Sequence, residues 1–62
     1  MTGYYFVAAV YESGRVVLNA TRYATQARQE RAAARLKRKP NVKRVIKGYQ
    51  PSMSDVDIKK FI

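Results

Sequence analysis

The sequence predicts a small α+β domain of ββαβ order. Its three-stranded antiparallel sheet, in the order 2-1-3, is packed by one helix and followed by a short C-terminal helical turn. Three observations predict this. Residues 4–11 are an unbroken apolar and aromatic run that stops at Glu12-Ser13-Gly14 and is followed by alternating residues. Residues 26–38 are rich in strong helix formers between a capping Thr25 and a terminating Pro40. Val42 to Tyr49 is a further strand-like run, closed by Gly48 and Pro51.

Both parities of the first strand are apolar, Tyr4/Phe6/Ala8/Val10 and Tyr5/Val7/Ala9/Tyr11. Such a strand suits the centre of a sheet covered on both faces. Gly14 can take φ > 0, so Glu12-Ser13-Gly14 reads as the turn of a β-hairpin. The second strand spans 15–23, with Val16, Leu18 and Ala20 alternating against Arg15, Asn19 and Thr21. Its register stays open. A two-residue loop sets Tyr11 opposite Val16, whereas a three-residue loop with Gly14 in a bulge sets Val10 opposite Val16. The first register leaves Tyr4, Phe6 and Tyr23 away from the core; the second leaves Tyr5 and Tyr11 there.

The helix returns the chain, so the third strand runs parallel to the second and antiparallel to the first. The strand with both parities apolar then lies in the middle. In the tail, Ser54 with Asp57 three residues on resembles a capping box. Asp55 and Asp57 lie at the positive end of the expected turn and Lys59 and Lys60 at the negative end. Ile58, Phe61 and Ile62 share one face. So short a helix needs a surface to dock on.

The chain reads as one domain over residues 1–62. With no cysteine it has no disulfide, and with no histidine either it has no Cys/His zinc site. No signal peptide precedes the first apolar run, which is far shorter than the roughly 20 residues of a membrane span. The expected setting is the cytoplasm without membrane contact, association with the nucleoid being one form of it.

Charge is the dominant feature. Thirteen Lys/Arg against four Asp/Glu give +9 over 62 residues. Self-repulsion of that kind opposes compaction, and an anionic partner offsets it. At 100° per residue the helix sorts into two arcs. Thr25, Gln29, Ala32, Ala33 and Leu36 fall within one arc of about 100° and suit close packing on a sheet. Arg28, Arg31, Arg35, Arg38 and Lys39 occupy another. Like charges at i+3 and i+4 cost a few tenths of a kcal/mol per pair, and solvated helix faces usually mix both signs. Arginine's planar fork matches phosphate or carboxylate. The basic run continues through Lys43, Arg44 and Lys47, and the only acid between Arg28 and Lys47 is Glu30. In the third strand Lys43 and Lys47 share a face with Val45, and Arg44 points the other way.

The candidate binding residues are therefore Arg28, Arg31, Arg35, Arg38, Lys39, Lys43, Arg44 and Lys47, and the expected partner is nucleic acid, DNA or RNA. Tyr5, Tyr11, Tyr23 and Tyr49 are candidates for base stacking, although core or edge packing is the commoner fate of such residues. The RNA-recognition consensus, the GxxG clamp and helix-turn-helix spacing are all missing from the sequence. Catalysis is not expected. Glu12, Glu30, Asp55 and Asp57 have structural explanations, no hydroxyl has an activating base, and the glycines form no phosphate loop. No cofactor or metal is expected. The alternative function is a phage-type inhibitor or adaptor docking on an acidic patch of a host protein such as a polymerase or nuclease. A third reading is a homodimer formed through Ile58, Phe61 and Ile62.

Overall fold

β-Branched and aromatic residues dominate the first strand and recur through the last, and the tight turn between the first two strands has a glycine where the backbone must turn left-handed. The computed structural model describes residues 3–61. Strand β1 (Tyr4–Tyr11) lies between β2 (Val16–Leu18) and β3 (Val42–Gln50) and is antiparallel to both. Helix α1 (Gln26–Lys37) connects β2 to β3, and a 3-10 turn (Ile58–Phe61) ends the described chain. This is the ββαβ sheet, in order 2-1-3, that the residue pattern predicts.

The hairpin adopts the register with Val10 opposite Val16. Gly14 takes φ +89° and donates its N–H to the Tyr11 carbonyl (2.8 Å), while Tyr11 N–H donates to Arg15 O (2.8 Å). That is the three-residue loop with a bulge glycine. Strand β2 is shorter than its sequence suggests. After Asn19 N–H bonds to Val7 O (2.9 Å) the chain leaves the ladder, and it returns only at the Tyr5–Tyr23 bridge. Asn19 causes this locally, because its Oδ1 accepts from Thr21 N–H (3.1 Å) and turns the backbone outward. Two extra residues leave the parity intact, so Tyr23 rejoins on the face of Tyr5 and Val7.

Both sheet faces are covered, by different elements. Helix α1 lies on the Tyr5/Val7/Ala9 face, where Val7, Ala32 and Ala33 form a buried cluster flanked by Tyr23, Leu36 and Val45. The expectation that this register leaves Tyr5 and Tyr11 away from the core is therefore corrected: they belong to the helix side of the sheet. The physical reason is size. The helix presents Gln29, Ala32 and Ala33, small or slender groups that need close approach, and Val7 and Ala9 permit it. The opposite face carries Tyr4, Phe6, Ala8, Val10 and Ile46 and is closed by the tail through Val56 and Ile58. Phe6 is 1 % exposed; its ring lies over Gly48, directly across the ladder, and meets Phe61 edge-on at 5.0 Å. A Cβ at position 48 would overlap the Phe6 ring, so only glycine fits there.

Gln29, buried among apolar groups, bridges helix and sheet. Its Nε2 donates to Phe6 O (3.0 Å) and Gly48 O (2.8 Å). A buried amide is tolerated when its donors are satisfied, and these bonds fix the helix over one point of the sheet.

The tail departs from its expected cap. The turn begins at Ile58, and Asp57 Oδ1 accepts from Lys59 N–H (3.2 Å). Ser54 instead serves the docking: its carbonyl accepts from Tyr4 Oη (2.7 Å) and its Oγ from Gln50 Nε2 (3.0 Å). Arg22 stacks 4.6 Å over the Tyr4 ring and donates to Met53 O (2.7 Å) and Asp55 Oδ1 (2.9 Å). Residues 51–54 run through bends and 55–57 are irregular, so no helical cap forms at Ser54. Ile58 and Phe61 thus pack on the chain's own sheet, whereas Ile62 lies outside the described residues. Among the described residues no helix is long and apolar enough to cross a membrane.

Candidate nucleic-acid interface

Helix α1 begins where the sequence places it. Thr25 is extended (φ −132°, ψ 153°) and its Oγ1 accepts from Arg28 N–H (3.3 Å). The helix ends with Arg38 as C-cap, two residues before Pro40. Gln29, Ala32 and Ala33 are buried, so the arc centred on them faces the sheet and the arginine arc cannot. Arg28, Arg31, Arg35, Arg38 and Lys39 are all exposed.

The sheet divides the predicted site residues into two groups. On the β2 side of the helix, Arg28, Arg31 and Arg35 line a shallow cleft of 360 Å³ with Thr21, Tyr23 and Ala32. Lys39 continues that side beyond the helix end, beside Leu36, Val17 and Leu18. By its angle Arg38 lies near the outermost line of the helix, with Arg31 and Ala34. On the β3 side, Lys37, Arg44, Lys47 and Glu30 border a second depression of 320 Å³ next to Ala33, Ala34 and Val45. Lys43 is the extra residue where the register shifts, since Val10 pairs with Arg44 but Tyr11 with Val42. The eight candidates therefore form no single surface: α1 stands between the arginine flank and the β3 cations.

Their charge environments differ as well. Lys47 Nζ lies 3.0 Å and 3.1 Å from the two carboxylate oxygens of Glu30, whereas the other ion pair among the described residues, Arg22–Asp55, straps the tail to the sheet. Glu30 thus turns toward β3 and away from the arginines. Among the described residues, Arg28, Arg31, Arg35 and Arg38 have no carboxylate within 4.0 Å. Four fixed positive charges follow one helix side with nothing opposing them.

The residue pattern did not point to the other wall of the cleft. Thr21 and Tyr23 reach it because the chain turns out at Asn19, whose Nδ2 also donates to Tyr23 Oη (3.0 Å). Asn19 within a run read as strand was the available signal. Of the stacking candidates, Tyr23 is half-buried beside Val7 and Ala32, and Tyr5 meets Tyr49 edge-to-face at 4.9 Å on the β3 side. Among the described residues no group of three or more His, Cys, Asp or Glu side chains is placed to hold a metal ion. Comparison with protein-family models, curated proteins and solved structures finds no match to this chain.

Proposed function

We propose that this chain is a non-catalytic nucleic-acid-binding protein that grips phosphates with the arginine flank of α1. The observation that carries the reading is the row Arg28, Arg31, Arg35 and Arg38, exposed and, among the described residues, without a carboxylate partner. Arginine forks bind phosphate oxygens in pairs, and the anion's charge removes the mutual repulsion that the free protein bears. From Arg28 to Arg38 the helix rises about 15 Å, the length of roughly four base-pair steps. Lys39 extends the row, and Thr21 in the facing wall adds a neutral hydrogen-bonding group. Contacts of this type set position and affinity and carry little sequence information.

Fluorescence anisotropy on short duplex and single-stranded oligonucleotides, measured across a salt series, tests the reading. Five phosphate contacts give a log–log slope of about −4.5 on duplex DNA. Replacing Arg28, Arg31, Arg35 and Arg38 by Gln should flatten it to about −1, the share left to Lys39. Association that ignores salt, or that survives the four substitutions unchanged, rules the proposal out.

A further inference from the structure

Strand β3 is the longest element of the sheet apart from the helix, and one of its edges is open. Ladder geometry shows which backbone groups that edge presents. Tyr5 exchanges both hydrogen bonds with Tyr23, Val7 O accepts from Asn19 N–H, and Tyr11 N–H donates to Arg15 O, all on the β2 side. Backbone groups alternate sides along a strand, so Tyr4, Phe6, Ala8 and Val10 point theirs at β3. Their partners Gln50, Gly48, Ile46 and Arg44 point back. The N–H and C=O groups of Val45, Lys47 and Tyr49 therefore face outward, and no strand follows β3 in the sheet.

Charge marks the same edge. Val42–Gln50 carries Lys43, Arg44 and Lys47 and no acid. Beside it lies the 320 Å³ depression, with an aliphatic floor of Ala33, Ala34 and Val45 and a rim on which Lys37, Arg44 and Lys47 outnumber the single acid, Glu30. A second copy is a poor occupant. Antiparallel self-pairing of β3 about Val45 sets Lys43 opposite Lys47, and directly opposed like charges destabilise a ladder. The cations thus close the edge to the chain's own kind while leaving it open to the opposite charge.

We propose that the β3 edge is a second binding site, independent of the arginine flank, which accepts an acidic segment in extended conformation as a fourth strand. The outward groups of Val45, Lys47 and Tyr49 supply the ladder. An acidic side chain of the added strand rests its aliphatic stem on Ala33, Ala34 and Val45, and its carboxylate meets Lys37 or Lys47. Lys47 exchanges Glu30 for the incoming carboxylate, an exposed pair that gives little resistance.

The test uses the full chain and an acetylated, amidated octapeptide of alternating glutamate and valine, with the lysine–valine peptide as control. Amide hydrogen exchange should slow at Val45, Lys47 and Tyr49 with the acidic peptide only. Two variants separate backbone from charge, because Lys47→Ala and Lys47→Pro both remove the ammonium and only proline removes the outward N–H. Proline is tolerated at an edge position whose N–H faces solvent. Titration calorimetry should show Lys47→Ala weakening the peptide a fewfold and Lys47→Pro at least tenfold further. Equal affinities for the two variants, exchange rates unchanged by the peptide, or effects confined to Arg28–Arg38 overturn the proposal. Should Lys47→Pro fail to fold by circular dichroism, amide protection in the unaltered chain decides alone.

Discussion

Replacing Arg28, Arg31, Arg35 and Arg38 together by Gln should cut polyanion binding to the share left to Lys39 and also make the free protein more stable. The four arginines form three like-charge pairs, 28–31, 31–35 and 35–38, and no carboxylate lies within 4.0 Å of any of them among the described residues. At about 0.2–0.5 kcal/mol per pair, repulsion costs roughly 0.6–1.5 kcal/mol. Arg28, in the first helical turn with no acid to compensate it, adds to this, whereas Arg35 in the last turn and Arg38 at the C-cap recover part of it from the negative end of the macrodipole. Glutamine has nearly the helix propensity of arginine, so the exchange removes charge and leaves the helix otherwise intact. A net gain of about 0.3–1 kcal/mol raises the melting temperature of so small a domain by roughly 1–8 °C. Far-UV circular dichroism melts at about 0.01 M and about 1 M salt check this, because the screening length falls from roughly 30 Å to roughly 3 Å between them. The gain should be largest at low salt and shrink at high salt. A variant that melts lower than the parent, or whose gain is the same at both salt concentrations, would show that the stripe is not held against its own repulsion, and the argument for an anionic partner would lose its energetic basis.

Gly48→Ala places a methyl group in the Phe6 ring, and Phe6 is too enclosed to yield. A loss of about 1–3 kcal/mol should appear as a lower denaturant midpoint; an unchanged midpoint would mean that the ring can move aside. Gln29→Glu turns a donor between two carbonyls, Phe6 O and Gly48 O, into a buried negative charge. The cost of about 3–5 kcal/mol is comparable with the whole stability of such a domain, about 3–5 kcal/mol. The variant should be largely unfolded at neutral pH and partly refold in acid, where a protonated carboxyl can again donate one bond; a folded dichroism spectrum at neutral pH refutes this. Arg22→Ala removes the stack on Tyr4 and the bonds to Met53 and Asp55 together. Proteolysis within residues 51–57 should then accelerate while helix amides keep their protection, and an unchanged cleavage rate would show that the Ser54 bonds and the packing of Val56, Ile58 and Phe61 hold the tail without Arg22.

The elements and the arginine row were legible because their causes act over a few residues. Thr25 caps, Pro40 stops, Gly14 turns, and a period of 3.6 places Arg28, Arg31 and Arg35 together whatever the helix packs on. Parity likewise assigns Val45 and Lys47 to one face of β3 and Arg44 to the other. The short β2 was missed for a reason just as local: the Asn19 side chain competes with the ladder inside a run that reads as strand. Parity says which residues share a face and is silent on what covers it. That was decided by fit between distant segments, the small groups of α1 against Val7 and Ala9, and the irregular tail against Tyr4 and Phe6. Only the folded chain, in turn, directs Glu30 to Lys47 and places α1 between the arginines and the β3 cations. Charges far apart in sequence meet or part through the path of the backbone in space, and local residue pattern does not contain that path.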